Sequence, residues 1–149
     1  MYKTFKALVF GSCRFGLTEF GPASSHGHGT RDEALALVKT ALLYHEMHGL
    51  QAALARANQA ESQFQLKDLR VEAYDSDGTA LAHGTPAKLG KNLLKIPEAK
   101  ALFINPEFIK IGHSAEGKGW VQFQVKGGAA MQAYVERHED VYWVCSYHP

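Results

Sequence analysis

Residues 69–83 constrain the fold more than any other part of the chain. Leu69, Val71 and Ala73 alternate with Arg70, Glu72 and Tyr74 as far as Asp77-Gly78, and an apolar return, Ala80-Leu81-Ala82-His83, leaves it. Alternation of period two sends successive side chains to opposite faces of a strand. An Asp-Gly pair between two such runs favours the left-handed backbone of a tight hairpin. A hairpin with one apolar and one polar face is therefore expected. A polar loop follows and closes on Leu89-Gly90-Lys91-Asn92-Leu93.

Helical signals precede the hairpin. Thr30 and Glu33 are spaced as a capping box, and Ala34, Leu35, Leu37, Val38, Ala41, Leu42 and His45 then recur at helical spacing up to Gly49. A second helical piece runs from Leu50 to about Ala57, and Asn58 to Lys67 reads as a polar connection. After Asn92, Pro97 can open a helix that continues through Ala99 to Phe103. Pro106 forces a restart before Phe108, Ile109 and Ile111. Three strands are expected to close the chain: Trp120 to Lys126, Met131 to Arg137 and Val141 to Tyr147. Gly127-Gly128 joins the first two, and His138-Glu139-Asp140 turns the last pair. The order predicts an α+β fold, a mostly antiparallel five-stranded sheet with a long N-terminal helix packed on one face.

The chain has 149 residues, 46% of them hydrophobic, and a formal charge of +1, which suits one domain with a real core. Near-neutral charge gives no electrostatic case for nucleic acid or an anionic membrane. No run reaches the apolar length of a membrane span. The two cysteines, Cys13 and Cys145, have no metal-binding or haem-attachment spacing, so no cofactor is expected. Residues 1–25 have the layout of a weak secretory signal: Lys3 and Lys6, then Ala7-Leu8-Val9-Phe10, then small residues at Ala23-Ser24-Ser25. Arg14 and Glu19 interrupt the apolar region, and the alternative is a disordered or loosely helical arm. Residues 26–149 form the domain, opening on a flexible His26-Gly-His-Gly joint. A periplasmic or secreted location follows if the signal works, a cytoplasmic one if it does not.

Two motifs invite a chemical reading. Asp75-Ser-Asp77-Gly78-Thr79 after an apolar strand matches the D-x-D-G-T nucleophile motif of haloacid-dehalogenase-type phosphatases, in which the first aspartate attacks phosphorus and the second is the general acid/base. Those enzymes need a parallel doubly wound sheet and a later lysine and acidic pair, whereas a hairpin return follows here. Aspartates serving a turn are the plainer reading, and a metal-dependent phosphatase is the enzymatic alternative. His45-Glu46-Met47-His48 is a truncated H-E-x-x-H; with histidines at i, i+3 it reads as a helix end, His48 suiting the helix dipole. No other catalytic signature occurs, so an enzyme is not expected.

The hairpin closing onto the Leu89-to-Leu93 loop resembles the single-Cache domains, PAS-like sensor modules that bind small molecules. Gly119-Trp120-Val121-Gln122-Phe123 is similar to their "GWVxY" strand, Ala133-Tyr134-Val135-Glu136-Arg137 to their "xYVxx" strand, and Trp143-Val144-Cys145-Ser146-Tyr147 to their closing strand. The helix carrying Ala34 to Val38 matches the one that precedes the sheet. The resemblance covers Gly29 to Tyr147. It implies an exported sensor that binds a small carboxylate or related metabolite over the sheet and signals, as in chemotaxis, through a receptor or kinase partner. It implies ligand contacts from Arg70, Glu72, Tyr74, His83, Trp120, Phe123 and Tyr134. Trp120 and Phe123 lie on opposite faces of one strand, so at least one belongs to the core. Arg70 and Glu72 depart from the aromatic residues of many relatives. The N-terminal helix offers a homodimer face, and a ligand-free protein-interaction module is the remaining alternative.

Overall fold

The computed structural model describes residues 27–96, 106–125 and 128–149. Helix α1 (Arg31–His48) and the short α2 (Leu50–Ala57) come first. The strands are β1 (Gln65–Leu66), β2 (Leu69–Asp75), β3 (Ala80–Ala82), β4 (Lys118–Gln124), β5 (Ala130–His138) and β6 (Val141–Tyr147). A further helix, α3 (Pro106–His113), lies between β3 and β4. The sheet is antiparallel, ordered β1-β2-β6-β5-β4, with β3 pairing β2 on the same edge as β1. The α+β architecture with a long helix on the sheet is as expected, but with six strands in place of five. β1 is only two residues long and lies inside the polar connection. A period-two pattern cannot register over two positions, so this strand exists through its pairing, Gln65 with Arg70 and Leu66 with Leu69.

The capping box forms as the spacing predicts. Glu33 N–H donates to Thr30 Oγ1 at 3.2 Å, and Thr30 N–H donates to Glu33 Oε2 at 2.8 Å. Glu33 also receives Lys67 at 2.8 Å, tying the helix start to the β1–β2 turn. Thr30→Ala is expected to lower stability by about 1 kcal/mol, read as a shift in the urea midpoint at constant slope.

Alternation along the strands divides the core into two layers. Leu69, Val71, Ala73, Val141, Trp143, Cys145 and Tyr147 pack under Ala34, Leu37, Val38, Ala41 and Leu42 of α1. Tyr74, Tyr142, Val144, Ala133, Val135 and Val121 occupy the opposite face, covered by Leu93, Phe108 and Ile109. The α3 helix reaches that face closely because Gly112 has no side chain: a Cβ there would lie 2.5 Å from the Tyr142 ring. Cys145 is buried, and burial pushes its thiol up to about 12, so it acts as a small hydrophobe.

The turn at Asp77-Gly78 is built as the sequence implies. Gly78 takes φ 93°, and Asp75 Oδ1 accepts the N–H groups of Asp77 and Thr79. Asn92 then locks the loop onto the turn, donating from Nδ2 to Asp77 O. The chain returns along β3 through Ala80 N–H to Lys91 O and Gly90 N–H to Ala80 O. The Gly90-Lys91-Asn92 segment is therefore structural at its backbone. The expected signal region, the helix at Pro97 to Phe103 and the Lys126-Gly127 link fall outside the described residues.

Candidate functional site

The face of the sheet opposite α1 carries the polar half of the hairpin. Arg70, Glu72 and Tyr74 project there because they alternate with the buried Leu69, Val71 and Ala73. A bulge between Ala73 and Tyr74 shifts the register against β3 and brings His83 back over the same face. His83 is held from both sides: its N–H donates to Asn58 Oδ1 at 3.1 Å, and its Nδ1 accepts Thr85 N–H at 2.9 Å. That second bond leaves the proton of the neutral ring on Nε2, which lies 3.5 Å from Glu72 Oε2. Tyr74 O–H donates to Glu72 Oε1 at 3.0 Å, and the rings of Tyr74 and His83 meet edge-on at 6.4 Å. Gly84 N–H also bonds to the Glu72 carboxyl.

Arg70 is anchored from one end only. Its Nη2 donates to Ala57 O and Gln59 O at 2.9 and 3.0 Å, gripping the carbonyl end of α2, while its buried Nε has no hydrogen-bond partner among the described residues. Glu72 is surrounded by protein, yet 24% of its side-chain surface remains accessible.

Burial dominates the protonation states. It raises the Glu72 carboxyl to about 7, against the opposing Tyr74 hydrogen bond and Arg70 charge. It lowers His83 to about 4, helped by the charges of Lys88 and Arg70. It also raises the Tyr74 hydroxyl far above its usual range, with Glu72 adding to the shift. Desolvation disfavours the charged form in every case. Between those two values the Glu72–His83 pair is held neutral, and the formal charge bearing on it comes from Arg70 and Lys88, both positive.

The structure therefore brings Arg70, Glu72, Tyr74 and His83 together. Phe123 shares their face, but packs edge-on against Phe108 at 5.4 Å and lines an open groove of about 390 Å³ with Met131 and Pro149 at the end of the β4–β5 hairpin. Trp120 and Tyr134 point to the α1 side instead. Arg31 lies 3.8 Å above the Trp120 ring, and Tyr134 donates to Glu136, which Lys39 also holds. Strand parity separates Trp120 from Phe123, as expected; Tyr134, opposite Trp120 in the ladder, goes with it. Asn58, Gly84, Thr85 and Lys88 were not evident as site residues, because each lies in a connection where no periodicity marks a facing direction.

Asp75 and Asp77 carry no comparable arrangement. Asp75 is occupied by the turn, and the sheet around it is antiparallel where the phosphatase chemistry needs a parallel one.

Among solved structures, the chain is similar to a Cache chemosensory domain described for its recognition of carboxylic acids. The identity is 15% and the TM-score 0.52, over 78% of this chain and 91% of that one. The chain has a Cache fold. No family model and no curated protein matches the sequence. In this Cache fold, α1 is the helix that backs the sheet and the Arg70–Glu72–Tyr74–His83 cluster lies on the other side. No helix among the described residues is long and apolar enough to cross a membrane.

Proposed function

We propose that this chain is a small-molecule sensor whose ligand is a small carboxylic acid, bound at Arg70, Glu72, Tyr74 and His83. The observation that supports this most is the convergence of four polar side chains, with the buried Arg70 Nε left without a hydrogen-bond partner among the described residues. Buried polar groups are normally satisfied, and a guanidinium suits a carboxylate through parallel N–H bonds. With Glu72 uncharged, its acid proton can be donated to the anion that Arg70 attracts. Tyr74 supplies an apolar wall and one hydroxyl. The solved relative recognises carboxylic acids, which agrees with this choice.

Thermal shift of residues 26–149 against small carboxylates, amino acids and amines tests the reading. A carboxylate at a hundred times its dissociation constant should stabilise by roughly 2.7 kcal/mol. Tyr74→Phe and Arg70→Ala should each weaken that ligand about tenfold or more. Because Arg70 also holds α2, Tyr74→Phe is the cleaner variant. A panel without a hit would turn the reading toward a protein-interaction module.

We further propose export, with output through a receptor or kinase partner, and pairing of two copies through α1, whose outer face leaves Leu43 and Met47 exposed. Sedimentation showing only monomer at high concentration would remove the last of these. Recovery of the full chain in the cytoplasmic fraction with its first 25 residues intact would remove the first.

A further inference from the structure

We propose that His45, His138 and Glu139 form a binding site for a divalent transition metal, with zinc the ion that their chemistry suits best. His45 lies in the last turn of α1, His138 ends β5 and Glu139 follows it in the β5–β6 turn, and their ligand atoms all lie within 4.8 Å of one another. Glu139 Oε1 is 3.0 Å from His45 Nε2 and 3.9 Å from His138 Nε2. A tetrahedral zinc ion with ligands at about 2.0–2.2 Å sets them roughly 3.4 Å apart, within reach of small side-chain adjustments.

The second observation is His45 itself. Its side chain is 1% exposed, and its buried Nε2 faces the Glu139 carboxylate at 3.0 Å in an alignment too poor to satisfy it as a hydrogen bond. A buried donor so placed calls for a partner. Glu139 sits at φ 55°, a left-handed backbone that a non-glycine residue rarely adopts. Glu139 is 71% exposed and His138 is 32% exposed, so water can complete the coordination. Two imidazoles and one carboxylate are a borderline-soft donor set that suits zinc over magnesium or calcium.

Trp143 sets a condition on the site. Its Nε1–H donates to His45 Nδ1 at 3.3 Å, which places the neutral ring's proton on Nε2, the atom the metal needs. Coordination must therefore move that proton to Nδ1, where it would face the Trp143 N–H, so the long N–H···N contact is given up and one of the two rings turns aside as the metal bonds form. The tautomer change distinguishes this site from zinc held elsewhere, for example at His28 or His48.

Zinc chloride titrated into the full chain by calorimetry should show one site of micromolar or tighter affinity. His138→Ala and Glu139→Gln, both at accessible positions, should each weaken it about tenfold or more, and His48→Ala should leave it unchanged. Long-range ¹H–¹⁵N spectra should show the His45 proton on Nε2 without zinc and on Nδ1 with it. Absence of binding, affinity unaltered in both variants, or an unmoved His45 proton would each overturn the proposal.

Discussion

At pH 8 the Glu72→Gln variant is expected to be more stable than the parent, by roughly 3 kcal/mol if the full displacement of the carboxyl from 4.5 to about 7 is recovered. The sign follows from where the proton sits. A carboxyl raised in the folded state contributes no penalty below 4.5, where both states are protonated. From 4.5 to about 7 the unfolded chain ionises and the folded one does not, so stability falls as pH rises. Above 7 the buried charge carries its full cost. Glutamine mimics the protonated acid in shape and carries no charge, so the gain should shrink to less than about 1 kcal/mol at pH 5. Urea unfolding of both proteins at pH 5 and pH 8 reads this directly, and equal stability at pH 8 would refute the displaced carboxyl. His83 has the opposite dependence. Lowered to about 4, it contributes stability present above 6.5 and lost as pH falls toward 4. That acid-side loss should persist in Glu72→Gln. A site that destabilises its own fold at neutral pH and is relieved by a neutral substitution is the pattern expected of a binding site.

Trp143→Ala is expected to cost about 3–5 kcal/mol, a large share of the roughly 5–15 kcal/mol that holds a domain of this kind together. Trp143 is fully buried beneath α1, faces Ala73 across the β2–β6 ladder, and meets Phe64 and His45 edge-on. Alanine would leave a ring-sized void and strip His45 Nδ1 of its donor. The other tryptophan supplies the contrast. Trp120 is only partly buried and is roofed by Arg31, so Trp120→Ala should cost about 1 kcal/mol plus a modest area term. Urea midpoints for the two variants should differ widely; similar losses would contradict the two-layer core described above.

Much of this fold could be read along the chain, because it rests on local rules. The Thr30 capping box, the α1 stripe, the period-two run from Leu69 to Tyr74 and the Asp-Gly turn each depend on residues within a few positions of one another. The three closing strands followed from the same alternation. Boundaries moved slightly, with β4 beginning at Lys118 and β5 at Ala130. The two-residue β1 could not be found this way, since its existence depends on β2 being in place.

The candidate site divides along the same line. Arg70, Glu72 and Tyr74 share a face by parity alone, a property of one strand. That His83 joins them required the bulge at Ala73/Tyr74, and that Trp120 and Tyr134 leave them required the register of β4 on β5 and the side on which α1 lies. The His45–His138–Glu139 cluster is further still from sequence, joining residues more than ninety positions apart. The sequence by itself determined the longer strands, the α1 cap and the Asp-Gly turn, and which side chains share a strand face. Only the tertiary structure decided which face α1 covers, how the strands register, and therefore which groups lose water. Burial moves Glu72 and His83 from their ordinary ionisation, and burial depends on contacts between distant segments.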